Sequence, residues 1–322
     1  MAVKASFLVV HKEAGITSHD VVAAVRAVTG VKKVGHTGTL DPFATGVLPL
    51  ALGGATRLIQ YLDESIKVYD ATICLGASTD TGDPTGTVVR EAPLPEADEA
   101  QVREVLAGFI GEQLQEPPAY SAVKVDGKPL YHYARKGVEK RASPRKIQIM
   151  DLQLVDYDRK TLRVLLTCSR GTYARVLADD IATALHSAGH LVALSRPRSG
   201  PFFLEDAIEM QTLADLVAEE PGQPWKDVLM SRGDKSKRVK WKPRDDVREV
   251  LRPWLRTPIR CLSHLPLMDI GPVDARRIKN GALPPTPPSG VSMGGRFLLV
   301  AGQDVVAVAE KTPRGPKTLK AF

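Results

Sequence analysis

The apolar positions of this 322-residue chain change period several times. Residues 6–12, SFLVVHK, concentrate β-branched and aromatic side chains and predict a short strand. A helical period follows, with Val21, Val22, Val25 and Val28 on one face. Thr17 and Ser18 stand at its N-cap, Asp20 lies three residues after Thr17 as in a capping box, and Gly30 ends it. From Gly35 to Leu52 the chain is dense in Gly, Thr and Pro and then runs apolar, which reads as a loop leading into a buried segment. Residues 66–76, IKVYDATICLG, alternate and put Tyr69, Ala71, Ile73 and Leu75 on one face of a strand. The stretch STDTGDPTG after it carries dense turn chemistry. An amphipathic helix is expected over 96–110 and strands over 146–155 and 161–168. After Arg170-Gly171 the helical period returns, with Tyr173, Val176, Leu177, Ile181 and Leu185 sharing a face. Strands and helices in this mixed order predict an α+β fold, not a repeated βαβ unit.

Beyond Pro221 the chain turns Pro-rich and basic. Beyond Leu265 it resolves into short apolar runs, RFLLV and DVVAVAE, separated by Gly and Pro, as in a small β-rich domain. The length exceeds what one core usually spans, so three parts are expected: 1–215, a basic insertion or linker at 216–264, and 265–322. With 43% hydrophobic and 25% charged residues the composition is that of an ordinary globular protein. No apolar run approaches the roughly 20 residues of a membrane span, and four consecutive strongly apolar residues near the N-terminus are too few for a secretory signal. Cys74, Cys168 and Cys261 lie far apart with no CxxC pair, so neither a zinc site nor a disulfide framework is indicated and a reducing cytoplasm is expected.

The formal net charge of +7 favours a polyanionic partner. Between Ser231 and Arg260 there are eleven Lys/Arg against four Asp/Glu, an excess equal to that of the whole chain. Such a stretch is either a solvated insertion or a surface that contacts phosphates through residues such as Lys235, Lys237, Arg238, Lys240 and Lys242.

The chemistry-bearing candidate is GHTGTLDPFATGVLP, beginning at Gly35. By itself an Asp followed by Pro in a Gly/Thr loop is a turn-former. No HExxH, GxxxxGK[ST] or GxGxxG motif occurs, so zinc-protease, Walker and dinucleotide readings lack support. However, VGHTGTLDPFATGVLPLALGGATRLIQYL, residues 34–62, resembles the signature of the TruB family, the bacterial tRNA pseudouridine-55 synthases. Four further blocks match that family in order: KEAGITSHDVV (12–22), KVYDATICLGASTDTGDPTG (67–86), PPAYSAVKVDGKPLYHYARKG (117–137) and SRGTYARVLADD (169–180). The resemblance covers roughly residues 7–205.

It implies a pseudouridine synthase fold, a bent, mixed and mostly antiparallel sheet with flanking helices, followed by a small C-terminal PUA-like RNA-binding domain. It also implies isomerisation of uridine-55 in the T arm of tRNA by a stand-alone monomer, with no metal, cofactor, guide RNA or obligatory protein partner. Asp41 resembles the family's nucleophile, and Arg175 the arginine that pairs with it. A guanidinium beside a sequestered carboxylate keeps it ionised and fixes its rotamer. Tyr69 resembles the aromatic that stacks on the target base and helps remove the C5 proton. Leu194 resembles the apolar residue that closes the base pocket, and His36 a residue that contacts RNA beside the extruded nucleotide. Tyr173, Lys12, Lys124, Tyr131, Tyr133 and Arg135 fit phosphate contacts and stacking.

Two places depart from the family: His11-Lys12-Glu13 stands where Asn/Asp-Lys-Pro is usual, and Leu194-Ser195-Arg196 where Leu-Arg-Arg is. The segment PVDARRIKNGALPP resembles the PUA-like module only weakly. Guide-RNA-dependent relatives share GH[TS]GTLDP, and an RNA folding chaperone without chemistry is a reading from another class.

Overall fold

The computed structural model describes residues 5–63, 65–218, 220–230 and 246–322. Among these residues the main feature is one mixed sheet of eleven strands. Its path runs Ile208–Glu209, Ala5–Lys12, Thr45–Gly53, Gly189–Ser199, Lys67–Leu75, Thr161–Cys168, Arg145–Tyr157, Gly111–Gln115. Three short strands pair off this path. Two neighbours are parallel, Ala5–Lys12 with Ile208–Glu209 and Thr45–Gly53 with Gly189–Ser199; the other pairs are antiparallel. The expected α+β class, mostly antiparallel and with flanking helices, is what the chain forms.

One face of the sheet carries the main core. The helix Ser18–Thr29 contributes Val21, Val22, Val25 and Val28 to it, and the helix Ala174–Ala184 contributes Leu177, Ala178, Ile181 and Ala182. The first of these starts as its sequence predicts, with Thr17 and Asp20 closing a capping box and Gly30 in the left-handed region at the C-cap. The helix expected over 96–110 spans Glu99–Gly108, because Asp98 and Gln101 form a capping box that fixes its start.

The opposite face differs from strand to strand. On Ala5–Lys12 and Thr45–Gly53 it is also buried: Phe7, Val9, Val47 and Ala51 pack against Leu298, Val300, Val305 and Val308. Those last four belong to a four-stranded sheet, Leu267–Asp269, Arg296–Ala301, Asp304–Thr312 and Gly315–Ala321, which with the helix Pro272–Lys279 forms the C-terminal β-rich unit. Burial on both sides explains the unbroken FLVV run. The strand Lys67–Leu75 is buried on one side only and therefore alternates.

Described parts of the 216–264 segment are woven into the main fold. The helix Trp225–Met230 places Trp225, Val228 and Leu229 in the main core with Val247 and Leu251. Leu255–Arg256 pairs with the first strand. Residues 231–245, and with them Lys235, Lys237, Arg238, Lys240 and Lys242, lie outside the described residues. No helix of the described residues is long and apolar enough to cross a membrane.

Candidate active site

Asp41 sits at the tip of the loop between Val34–His36 and Thr45–Gly53, in a turn closed by the Ala44 N–H on its own carbonyl at 3.1 Å, with Pro42 second in the turn. Proline suits that position because its φ is already set. An irregular loop of this kind leaves many backbone groups without sheet partners, and buried side chains supply them. Ser18 brackets Leu40, donating to its carbonyl at 3.0 Å and accepting from its N–H at 2.9 Å. Lys12 is 0% exposed, and its ammonium donates to the carbonyls of Glu13 (3.0 Å), Pro42 (3.1 Å) and Ala44 (2.6 Å). Arg196, also 0% exposed, donates to the carbonyls of Val47 through Nε (3.0 Å) and Nη2 (2.9 Å), Thr39 (3.1 Å) and Gly38 (3.2 Å). Burial pulls the Lys12 pKa down to about 8, opposed by Asp41 nearby.

The carboxylate meets a two-pronged ion pair. Arg175 Nε lies 2.9 Å from Asp41 Oδ2, and Nη2 donates to Oδ1 at 3.3 Å. The arginine is 5% exposed and is held from two further loops, donating through Nη1 to the Thr81 carbonyl at 2.8 Å and through Nη2 to the Tyr120 carbonyl at 2.9 Å. One side chain thus gathers four of the five sequence blocks. The approach is tight at Gly82, whose φ is +70° and where a Cβ would lie 3.2 Å from that of Arg175. Asp83 stiffens the same turn by accepting from Thr81 Oγ1 (2.8 Å), the Thr85 N–H (3.0 Å) and Thr85 Oγ1 (2.6 Å). Removal from water raises the Asp41 pKa above its ordinary 3.8; Arg175 and Lys12 oppose that rise and Asp83 adds to it.

Tyr69 is buried in the main core on the strand beside Gly189–Ser199. Burial raises its pKa, and Arg196 is the largest opposing influence. Leu194 is buried in the same core, one strand over, opposite Ala71. His36 lies at the loop's entry with its ring 5.4 Å from that of His19 in an edge-on arrangement. Its Nδ1 is buried without a hydrogen-bond partner among the described residues, and burial, with His19, Arg196 and Lys67 adding to it, lowers its pKa. Tyr173 is the N-cap residue of the helix that carries Arg175, and Gln115 clips its backbone from both sides (2.7 and 3.2 Å).

The remaining candidates lie on a lobe at 117–142, whose small core is Val123, Leu130 and Ala142 with Tyr173 packed against it. Lys124, Tyr131 and Arg135 are exposed there, and the Arg135 guanidinium covers the Tyr131 ring at 5.4 Å. The Tyr133 hydroxyl instead donates to the Val125 carbonyl at 3.2 Å. Lys12 requires a correction. A phosphate contact is not open to it, because its three donors are engaged inside the protein and no part of it meets solvent.

Arg196, Ser18 and Asp83 escape notice in the sequence. For two of the cations a signal exists. Lys12 continues the face of Leu8 and Val10, and Arg196 that of Leu194, so each charge stands at a core-facing position at a strand's end. Lys67 bears the same relation to Tyr69 and Ala71. Side chains two apart on a strand point the same way, so these cations all lie on the face that carries the loop.

Residues 26–174 match the family model described as TruB family pseudouridylate synthase, N-terminal domain. A tRNA pseudouridine synthase B of Geobacter sulfurreducens is 41% identical over 311 residues, 94% of this chain and 92% of that protein. Its counterpart in Bacillus licheniformis is 38% identical over 314 residues, covering 95% and 90%. The fold also matches a chain in a crystal structure of a Cbf5-Nop10-Gar1 complex with a TM-score of 0.70 at 24% identity, covering all of this chain and 86% of that one. The fold is that of a pseudouridine synthase. The chain belongs to the TruB family of pseudouridylate synthases.

Proposed function

We propose that this protein isomerises uridine-55 in the T arm of tRNA to pseudouridine, with Asp41 as nucleophile and without guide RNA or partner protein. The observation that carries this reading is the forked ion pair between half-buried Asp41 of the GHTGTLDP loop and buried Arg175. The names of the full-length relatives supply the substrate class.

The reaction breaks the bond between N1 and C1′, turns the base and rejoins it through C5, after which the C5 proton leaves. A carboxylate serves as nucleophile either on the base or on the sugar. Arg175 holds Asp41 in one rotamer, and since a guanidinium does not lose its proton near neutrality, the carboxylate stays ionised despite its burial. Tyr69 and Leu194 would flank the extruded uracil, and His36 would contact the RNA at the pocket mouth, with Tyr131 and Arg135 reaching the tRNA from the lobe. The protein would work as a cytoplasmic monomer needing no cofactor.

The test uses the purified protein alone with a tRNA transcript carrying 5-³H-uridine. Tritium release without any guide RNA is expected, confined to position 55 when mapped by mass spectrometry. Asp41→Asn should abolish release while tRNA binding persists. Turnover near the natural level in that variant would end the reading of Asp41 as nucleophile, and a requirement for added guide RNA would end the stand-alone reading.

A further inference from the structure

Arg196 belongs to neither the forked pair nor the exposed lobe, yet it is fully buried and makes four hydrogen bonds to the backbone around the loop. Its guanidinium has five N–H donors and no acceptor. Four of them are held by the carbonyls of Gly38, Thr39 and, twice, Val47, which bracket Asp41 in sequence. Tyr69 lies across the strand pair from Arg196, and the arginine's charge opposes the rise that burial gives the tyrosine's pKa.

The strand carrying Arg196 is built to place it there. Leu194 faces Ala71, Ser195 faces Asp70, and the register then slips so that Arg198 faces Val68. Arg196 and Pro197 therefore share the stretch opposite Tyr69, the two-against-one pattern of a bulge, which re-aims a side chain. On its other side the strand runs parallel to the nucleophile's, with Arg196 opposite Gly46. That glycine has φ +107°, and a Cβ on it would come within 2.5 Å of the Arg196 carbonyl oxygen. Arg196 is thus wedged between the strand that leaves the Asp41 loop and the strand that bears Tyr69.

We propose that Arg196 is a positioning residue that ties the nucleophile loop and the Tyr69 hydroxyl to one rigid fork, so that both address the same uracil ring. A guanidinium only donates, so it can engage the phenol only through the phenol oxygen. A point charge such as Lys has donors but no planar fork and cannot hold three carbonyls and a phenol in fixed directions. This inference rests on the reading of Asp41 and Tyr69 as partners in the pseudouridine reaction.

The experiment is a double-mutant cycle of Arg196→Lys and Tyr69→Phe, read as single-turnover tritium release from tRNA at saturating enzyme. Alone, Arg196→Lys should lower the rate about 100-fold, the scale set by a small misplacement of reacting groups, with little change in tRNA affinity. In the Tyr69→Phe background it should lower the rate less, since the part of the loss that runs through Tyr69 is already spent. Equal losses in both backgrounds, as expected of a strut that merely keeps the loop folded, would overturn the proposal. A second measurement does not depend on Arg196→Lys folding. With ¹⁵N-labelled arginine, the side-chain resonances of Arg196 in the otherwise natural chain should move on Tyr69→Phe, and unmoved signals would also overturn it. If the natural chain releases no tritium at all, the functional reading fails, while the resonance test still decides whether the contact exists.

Discussion

The Asp41 loop and the 117–142 lobe are both irregular segments, and they are held in opposite ways. The loop is fixed by charged groups drawn inside the protein: Lys12, Arg175 and Arg196 direct their donors at its carbonyls or its carboxylate. The lobe rests on a core of Val123, Leu130 and Ala142, and its aromatic and basic tips face solvent. A nucleophile must be held within fractions of an ångström. A surface that follows an RNA backbone gains from compliance. On the proposed reading, rigid chemistry and adaptable recognition would fall to adjacent parts of one chain, which Arg175 joins through the Tyr120 carbonyl.

The sharpest way to break this contrast is at Arg175. Lysine there keeps the charge but loses the fork, and single-turnover rate should fall by about 100-fold or more with tRNA affinity nearly unchanged. Equal losses in rate and affinity would make Arg175 a phosphate contact and place it functionally with the lobe. Next comes Lys12→Met, which preserves bulk but leaves the Glu13, Pro42 and Ala44 carbonyls without their ammonium. Urea unfolding should register a loss of about 2 kcal/mol, as when buried acceptors lose their donor; a loss confined to tRNA affinity would restore Lys12 as an RNA contact. On the lobe, Tyr131→Ala should weaken tRNA binding by about 1 kcal/mol, and the rate on bound tRNA should hold. A drop in that rate would mean that the lobe shapes the chemistry.

The smallest effect is on pH. Since the Asp41 pKa stands above 3.8, the acid-side loss of single-turnover rate should begin at a higher pH than a free aspartate would give. For stability the sign runs the other way: the ionised carboxylate carries no cost below its unfolded pKa and an increasing one as pH rises through the folded value. Arg175→Lys should move the acid limb of the rate further up, because it keeps the charge but loses the arginine's hydrogen bond to the carboxylate, one of the influences that oppose the rise. An acid limb at the value of free aspartate would argue against a desolvated nucleophile.

Regular elements were legible wherever their period was clean: the capped helix Ser18–Thr29, the alternating strand Lys67–Leu75, and the paired strands Arg145–Tyr157 and Thr161–Cys168. Asp41 and Arg175 came only from the family resemblance, since nothing local marks an Asp-Pro turn as chemical. Arg175 lies off the apolar face of its helix and reads as solvent-facing, but the Thr81 turn and Tyr120 fold over it and bury it. Lys12 was misread for a related reason. A charged residue at a strand end is usually exposed, and its burial follows from a loop that packs on it only in three dimensions. The helix Trp225–Met230 was lost in a stretch whose proline and basic content resembles a linker, although Trp225, Val228 and Leu229 keep a helical spacing.

The sheet's connectivity also bears on when the enzyme becomes active. Val10 pairs with Ile208, Gly46 with Arg196, and Asp41 meets Arg175 across 134 residues of sequence. Contacts that close such long loops are entropically costly and form slowly. The second cover of the first strand is completed when the hairpin of Arg296–Ala301 and Asp304–Thr312 joins Phe202, Cys261 and Leu262 over it. A chain still emerging from the ribosome therefore holds Asp41 before Arg175 can pair with it, and on the proposed reading activity would be a late event in the protein's own synthesis.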